Sequence, residues 1–279
     1  MFAIIGIVIV LGAVAGGYLL EHGNIMVLLQ PAELLIIAGA SAGTILIANP
    51  PSILKGIVAG FRAVFGNSAV GKARYVETLK QLYAVMQKAR KGGLTELESD
   101  VENPEKSPLF AKWEHHVREF VCDTLRMAMT GGPTPFDLDQ MMELDMEVHE
   151  HYAQLPVKAL NTVADALPGL GIVAAVLGVV ITMGALGGPP EEIGHKVAAA
   201  LVGTFLGILL CYGLLGPMAS KMGKAAEEEG HFYHVIRVGL SAFLKGSAPA
   251  LAMEFARRAI HGHVRPTFVE LEKAYRVKV

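Results

Sequence analysis

Charge is scarce in this chain. Only 18% of its 279 residues are charged and 52% are hydrophobic, which is too apolar for an ordinary soluble domain. The 24 basic and 26 acidic residues nearly cancel, so there is no basic field for nucleic acid, and no zinc-finger or homeodomain-like spacing appears. Cysteine is almost absent. Cys122 lies in polar sequence and Cys211 in an apolar run, so no disulfide is expected between them. Enzyme signatures are missing as well: there is no G-x-x-x-x-G-K-[ST] loop, no G-x-S-x-G elbow, no H-E-x-x-H and no paired C-x-x-C. The histidines pair in sequence (His115 with His116, His149 with His151, His231 with His234, His261 with His263), yet only His231 and His234 have helix-face spacing. No carboxylate pattern completes a metal site around them, and they read as solvated helix histidines. The expectation is a non-enzyme with no cofactor and no metal.

What the chain does have is long apolar runs. Residues 2–20 are uninterrupted apolar sequence, about the 20 residues that cross a ~30 Å hydrocarbon core. The opening MFAIIGIVIVLG lacks the positive stretch of a cleavable leader, so this run is expected to stay as a span. A polar break at residues 21–24 is followed by QPAELLIIAGASAGTILIANPP, where Pro31 suits a first helical turn. Asn49-Pro50-Pro51 ends that helix, because the residue before a proline is pushed out of the helical region. Residues 34–48 are short for a span, so the helix is expected to use its flanks.

From Ser52 the character changes. ILKGIVAGFRAVFG carries apolar residues on helical spacing with Lys55 and Arg62 opposite, fitting either a membrane-interface helix or an ordinary amphipathic one. A charged, periodic helix is expected over residues 69–90, punctuated by Gly92-Gly93, with a short helical turn over 94–100. Ser107-Pro108 and Thr134-Pro135 each place a cap residue before a proline, which predicts helices over 108–129 and from 135 to about 154. This middle region shows no strand-type alternation. Thr267-Phe-Val-Glu270 is a capping-box pattern that starts a last helix.

The segment of residues 166–220 organises the rest. It reads as a membrane hairpin, one apolar run and then a second, joined by the turn GGPPEE. Pro168 and Pro217 stand near the cytoplasmic ends of the two runs. Pro168 lies inside a long helix and frees the carbonyl of Ala164, so a bend is expected there. The third membrane helix is expected to emerge from a cytoplasmic extension after Pro156, and the fourth to continue past Pro217 to about Gly246. Lys and Arg set the topology. The two short turns hold one basic residue, Lys196, and the remainder lie in the middle segment and the C-terminal tail. The positive-inside rule therefore puts both termini and the middle segment in the cytoplasm. The fold class is an all-α integral membrane protein with four transmembrane helices and a helical cytoplasmic domain. Its parts are residues 1–49 as a first membrane hairpin, 50–156 as the cytoplasmic domain, 157–224 as the second hairpin and 225–279 as a helical cytoplasmic tail.

Small residues recur at four-residue spacing at Gly12/Gly16, Gly39/Gly43 and Gly203/Gly207, where helix backbones can approach closely in lipid. Packing within the chain and contact with copies or a partner both fit. A proton-moving membrane protein usually needs an intramembrane acid, and the third and fourth spans offer only the hydroxyls of Thr182 and Thr204. Glu33, at the outer mouth of span two, and Asp165, at the inner mouth of span three, are expected to cap helices or face water. If ions move here, the titrating carboxylate must come from another chain.

Five colinear blocks resemble the flagellar motor stator A-subunit family, MotA/PomA: QPAELLIIAGA, DVENP, LPGLGIVAAVLGVV, VGTFLGILLCYG and the tail AMEFARRAI with RPTFVELE. The resemblance covers essentially the whole chain. It implies a ring of five A-subunits around two single-span MotB-type B-subunits, whose aspartate carries the ion and which anchor to peptidoglycan. It implies a bacterial inner-membrane location and a cytoplasmic domain that pushes on the rotor's switch-ring protein FliG. The family's functional prolines match Pro168 and Pro217, its rotor-facing charged pair matches Arg90 and Glu98, and its path-lining hydroxyl matches Thr204. Sodium-driven members carry a threonine where this chain has Ala175. An oxygen ligand for a hard cation is thus missing, which points to the proton as the transported ion. From the residues alone, Arg90 and Glu98 also fit a solvated helix end, Pro168 and Pro217 passive bends, and Thr204 a hydroxyl bonded to its own helix. The rival classes are an ExbB/TolQ-type energy-transducing subunit, which usually has three spans, a self-contained transporter, and a non-conducting membrane scaffold.

Overall fold

The computed structural model describes residues 2–66, 70–184 and 187–276. Among them there are helices and turns only: α1 (Phe2–Leu20), α2 (Ile25–Leu28), α3 (Pro31–Ala48), α4 (Pro51–Phe65), α5 (Lys72–Gly92), a 3₁₀ turn (Leu94–Leu97), α6 (Glu98–Glu102), α7 (His115–Met129), α8 (Pro135–Met183), α9 (Pro190–Ile208), a π-helical stretch (Leu209–Leu215), α10 (Gly216–Leu244), α11 (Pro249–Ala259) and α12 (Phe268–Arg276). Four helical stretches are long and apolar enough to cross a membrane: Phe2–Leu20, Ile25–Ala48, and the apolar parts of Pro135–Met183 and Pro190–Leu244. Span two reaches adequate length by recruiting α2, as its short apolar run required.

The chain divides into two compact units, residues 1–68 with 152–225, and residues 69–151 with 226–279. In the first, α4 buries Ile57 and Val64 against Val157, Ala159 and Leu160 of α8 and Ala219 and Met222 of α10. The Lys221 ammonium donates to the Val64 carbonyl at 2.7 Å, closing the exposed end of α4. A second cluster joins Ile37 of α3 to Ala164, Leu167 and Ala174 of α8 and to Cys211. The remaining faces of the spans stay apolar and open. Ile4, Val8 and Ile9 of α1, and Val176, Val180 and Ile181 of α8, are all exposed, as expected of surface that meets lipid.

The second unit is built like a soluble core. The α5 positions Tyr75, Leu79, Leu82, Met86 and Ala89 recur at helical spacing and are buried against Val117, Val121 and Leu125 of α7, Phe232, Ile236 and Leu240 of α10, and Met253 and Ala256 of α11. Arg74 fastens its rim. The guanidinium donates to Glu229 (2.5 and 2.7 Å) and Glu114 (2.5 and 3.0 Å) and lies 4.2 Å over the Phe232 ring. The capping box forms as the sequence specifies, with the Thr267 N–H donating to Glu270 at 2.7 Å and the Glu270 N–H to the Thr267 hydroxyl at 3.2 Å. Thr134 and Asp137 cap α8 in the same reciprocal way.

Two helix expectations are corrected. Instead of starting at Pro108, α7 begins at His115. Ser107 is the reason, because its hydroxyl donates to Asp100 at 2.7 Å and accepts the Leu109 N–H at 3.1 Å. That ties it into a turn, and Phe110 and Trp113 are drawn into the core beyond it. The break expected near Gln154 is also absent, and α8 runs unbroken through Pro156. A Cβ on Gly56 would stand 2.5 Å from the Pro156 ring, so the ring seats where α4 has no side chain. The start expected at Ala69 for the helix that became α5 lies outside the described residues.

The histidines are not uniformly solvated. His231 and His234 are half-buried, the His231 Nε2 meets the Ala259 carbonyl at 3.0 Å, and its ring lies 3.7 Å from that of His261. Burial lowers the pKa of both His231 and His234.

Candidate functional site

The site grows from glycine. On α8, Gly171 has no room for a side chain, since a Cβ there would lie 2.7 Å from the Gly203 carbonyl oxygen, 3.1 Å from the Gly207 Cα and 3.3 Å from the Thr204 Cα. The reverse holds at Gly207, where a Cβ would meet the Leu167 carbonyl oxygen at 2.5 Å and the Gly171 Cα at 3.0 Å. Thus α8 and α9 cross backbone to backbone, the approach that small residues permit in lipid. Gly203/Gly207 therefore serves packing within the chain. Gly12, Gly16, Gly39 and Gly43 meet nothing within 4 Å, so those two motifs are not used by the chain's own helices.

Around this crossing stand the residues singled out in the sequence. Pro168 precedes Gly171 by less than a turn, is half-buried, and lies within α8. Having no N–H, it leaves the Ala164 carbonyl without its helical donor. Ala175 is half-buried, and its backbone nitrogen is 3.2 Å from where a Gly203 Cβ would be. Thr204 is half-buried too. The hydroxyls of Ser41, Thr44 and Thr182 each donate to a carbonyl four residues back. Among the described residues the Thr204 hydroxyl has no such bond, so it remains available to a partner.

At the other end, Pro217 follows a feature the sequence does not announce. Leu209–Leu215 is π-helical, and the Gly216 N–H donates to the Cys211 carbonyl. A proline ring clashes with the carbonyl four residues earlier, here that of Gly213. Widening the preceding turn is the local answer, and π turns of this kind cluster at functional positions. Pro217 itself is exposed.

Glu33 departs furthest from expectation. It neither caps α3 nor faces water. It is 7% exposed, and its Oε2 has no hydrogen-bond partner. The carboxyl lies in a notch between α8 and α9, with Oε2 2.7 Å from a Cβ position on Gly203 and Oε1 3.4 Å from one on Gly178. On the Gly203 side the notch depends on glycine, whereas at Gly178 it is Ala200, 2.7 Å from a Cβ, that requires glycine. Pro31 and Gln30 place Glu33 in the first turn of α3, and packing of α3 on α9 carries it inward rather than outward. Asp165, in contrast, is exposed.

In the second unit, Arg90 lies in the last turn of α5 and Glu98 begins α6. Both are exposed, and among the described residues neither has an ion-pair partner. The chain reverses between them at Gly93, whose φ of 87° and ψ of 170° lie in a region essentially reserved for glycine. A brace holds the reversal, with the Lys88 ammonium on Asp100 at 2.6 Å and the Ser107 hydroxyl on the other carboxylate oxygen at 2.7 Å. Burial pushes the Asp100 carboxyl up, but the Lys88 and Ser107 hydrogen bonds outweigh it and hold the group below its ordinary pKa. Such a group stabilises the fold above the unfolded-chain pKa of about 3.9, and the contribution is lost as pH falls through the lower folded value. Asp100→Asn is therefore expected to lower stability near pH 7 by about 1–2 kcal/mol. The gap to wild type should narrow as pH falls below about 3.9 and close once it has passed the lower folded value, as thermal melts across that range would show. A constant gap at all pH values would mean that the brace is not electrostatic.

These features define a helical membrane subunit whose third and fourth spans form a tightly packed pair with a proline near one end of each, and with a separate helical unit presenting an unpaired charged edge. Residues 4–93 match the motility protein A N-terminal family profile, and residues 112–233 match that of the MotA/TolQ/ExbB proton channel family. The chain is 39% identical to motility protein A of Escherichia coli (strain K12) over 281 aligned positions, covering 99% of this chain and 95% of that one. It is 35% identical to the chemotaxis protein LafT of Vibrio parahaemolyticus, covering 96% of each. The fold matches the MotAB stator complex of Bacillus subtilis at a TM-score of 0.72 and 26% identity, covering 90% of this chain and 92% of that one. It also matches C. jejuni MotAB at 0.76 and 21% identity, covering 93% and 95%. The chain belongs to the motility protein A family.

Proposed function

We propose that this chain is the A-subunit of a flagellar motor stator and that it conducts protons together with a MotB-type B-subunit. The observation that carries the reading is the α8–α9 pair. Its membrane portions, residues 166–183 and 197–220, hold no ionisable side chain apart from Cys211 and Tyr212, while the Thr204 hydroxyl is left without an intrahelical bond. A path wall of this kind needs an acid supplied from elsewhere, and an aspartate on a B-subunit span would meet that need. Ala175, half-buried beside the crossing and bearing no oxygen, supports the proton over sodium.

In this mechanism, protonation of the partner's aspartate removes a charge and changes its contacts with Thr204 and the Pro168 region. A ring of A-subunits, five by resemblance, then steps around the B-subunits. Each proton crossing 100 mV supplies ~2.3 kcal/mol, so the moving contacts must be low in friction, and small apolar residues around the path fit that requirement. The exposed Arg90 and Glu98, braced by Lys88–Asp100, would engage the switch-ring protein FliG. Both termini and the second unit are assigned to the cytoplasm, with the spans in the bacterial inner membrane. The ExbB/TolQ alternative is disfavoured by the fourth span and by the motility protein A profile over α1 to α5.

The test is co-expression with a B-subunit in a non-motile stator deletion. Swimming should return, with a speed that follows the proton gradient at constant sodium. A speed that follows external sodium instead would overturn the ion assignment, and failure of the two chains to form a complex would overturn the stator reading.

A further inference from the structure

We infer that Glu33 is a proton-exchanging carboxyl of the ion path, receiving protons from the outer side and passing them toward the partner's acid. This rests on the stator reading above.

Three observations lead there. First, Glu33 is the only ionisable side chain of α3, and it is 7% exposed with an orphaned Oε2. An ionised carboxylate without a partner is costly in an apolar interior, and intramembrane acids persist where function requires them. Second, among the described residues the faces that meet it offer no counter-charge. From α8 they present Ala174, Gly178 and, one turn on, Thr182, whose hydroxyl is committed to the Gly178 carbonyl at 2.8 Å. From α9 they present Ala200 and Gly203. Every charged or histidine side chain of α9 precedes Val197, and Lys196 is paired to Glu192 at 2.8 Å; α2 has none, and on α8 the last acid is Asp165. Third, the notch is at the path. The Cβ position on Gly203 that approaches Oε2 to 2.7 Å also lies 3.2 Å from the Ala175 backbone nitrogen, and Gly203 immediately precedes Thr204. A purely structural filler here would be apolar, since Gly203 makes room for a carboxyl that gains no hydrogen bond at Oε2.

The step is a proton transfer with no change of oxidation state. A hydronium on the outer side gives its proton to the Glu33 carboxylate, leaving water and a neutral acid. The acid's O–H then protonates the partner's carboxylate, directly or through water, and the Glu33 carboxylate is regenerated.

The experiment compares Glu33→Gln, Glu33→Asp and wild type in the complex with the B-subunit, reading complex yield, swimming speed and proton flux in vesicles across external pH. Gln fills the same notch with nearly the same shape and no charge but exchanges no proton. The expected result is normal complex yield with flux at least about tenfold lower, and a Glu33→Asp complex that conducts with a displaced pH midpoint. Wild-type flux and pH profile in Glu33→Gln would overturn the inference. If Glu33→Gln does not accumulate, Glu33→Asp decides: a moved midpoint supports the relay and an unmoved one overturns it. A wild-type complex that passes no protons would instead overturn the stator reading itself, and this inference with it.

Discussion

Gly207→Val is expected to abolish accumulation of the folded chain in the membrane. The new Cβ would stand 2.5 Å from the Leu167 carbonyl oxygen and 3.0 Å from the Gly171 Cα. Both are backbone atoms, so no side chain can swing away, and the helices themselves must part. Overpacking costs about 1–3 kcal/mol where side chains can yield, and here the added γ-methyls press on a helix that cannot. Separation would also dismantle the notch around Glu33 and the approach of Ala175 to Gly203. The control is Gly43→Val. That position meets nothing within 4 Å inside the chain, so the detergent-solubilised subunit should melt close to wild type. Membrane yield and thermal melts of the two variants would check this. Equal loss from both would mean that the α8–α9 crossing is not the tight point of the fold.

Pro168→Ala is expected to leave the subunit as stable as wild type or more so, and to abolish torque. Alanine is favoured over proline in a helix interior by about 3 kcal/mol, and its N–H would satisfy the Ala164 carbonyl. The helix would gain a hydrogen bond and lose a joint. If the hydrogen bond missing at Pro168 lets protonation at the partner's acid move α8, a fully bonded α8 holds its position and the cycle stalls. Assembly with the B-subunit and thermal stability should therefore be retained while swimming is lost. Full motility of this variant would remove Pro168 from the coupling, whereas loss of assembly would make the residue structural. Pro217 poses the same question in a different setting, because the π-helical turn before it already relieves the clash its ring would cause.

The four spans were legible because a hydrocarbon core imposes one length and one polarity on any helix crossing it. The caps at Thr134 and Thr267 were legible because capping is local, with donor and acceptor three residues apart. Ser107 carried the same local signature and was misread. Its hydroxyl bonds Asp100, a partner that only the folded loop brings near. Pro156 was misread for the mirror-image reason. Its penalty within α8 is local, but the room for its ring comes from Gly56 on another helix. The π turn had a faint signal in Pro217, which demands relief of a clash without naming its form.

At the candidate site the division follows the same line. Pro168, Pro217, Thr204, Ala175, Arg90 and Glu98 can be picked out of the chain as residue types at matching positions. Their status as packed, unbonded or unpaired side chains cannot. Composition and periodicity alone set the class of molecule and the number of spans, since these depend on transfer of whole segments between water and lipid. Tertiary packing decided that α8 and α9 touch at their backbones, that Thr204 is left free while Thr182 is not, and that Glu33 turns away from water. A carboxyl in the first turn of a helix looks like a cap in any linear reading. Its burial arises because Gly203, on another helix, leaves room for the carboxyl where a side chain would crowd it.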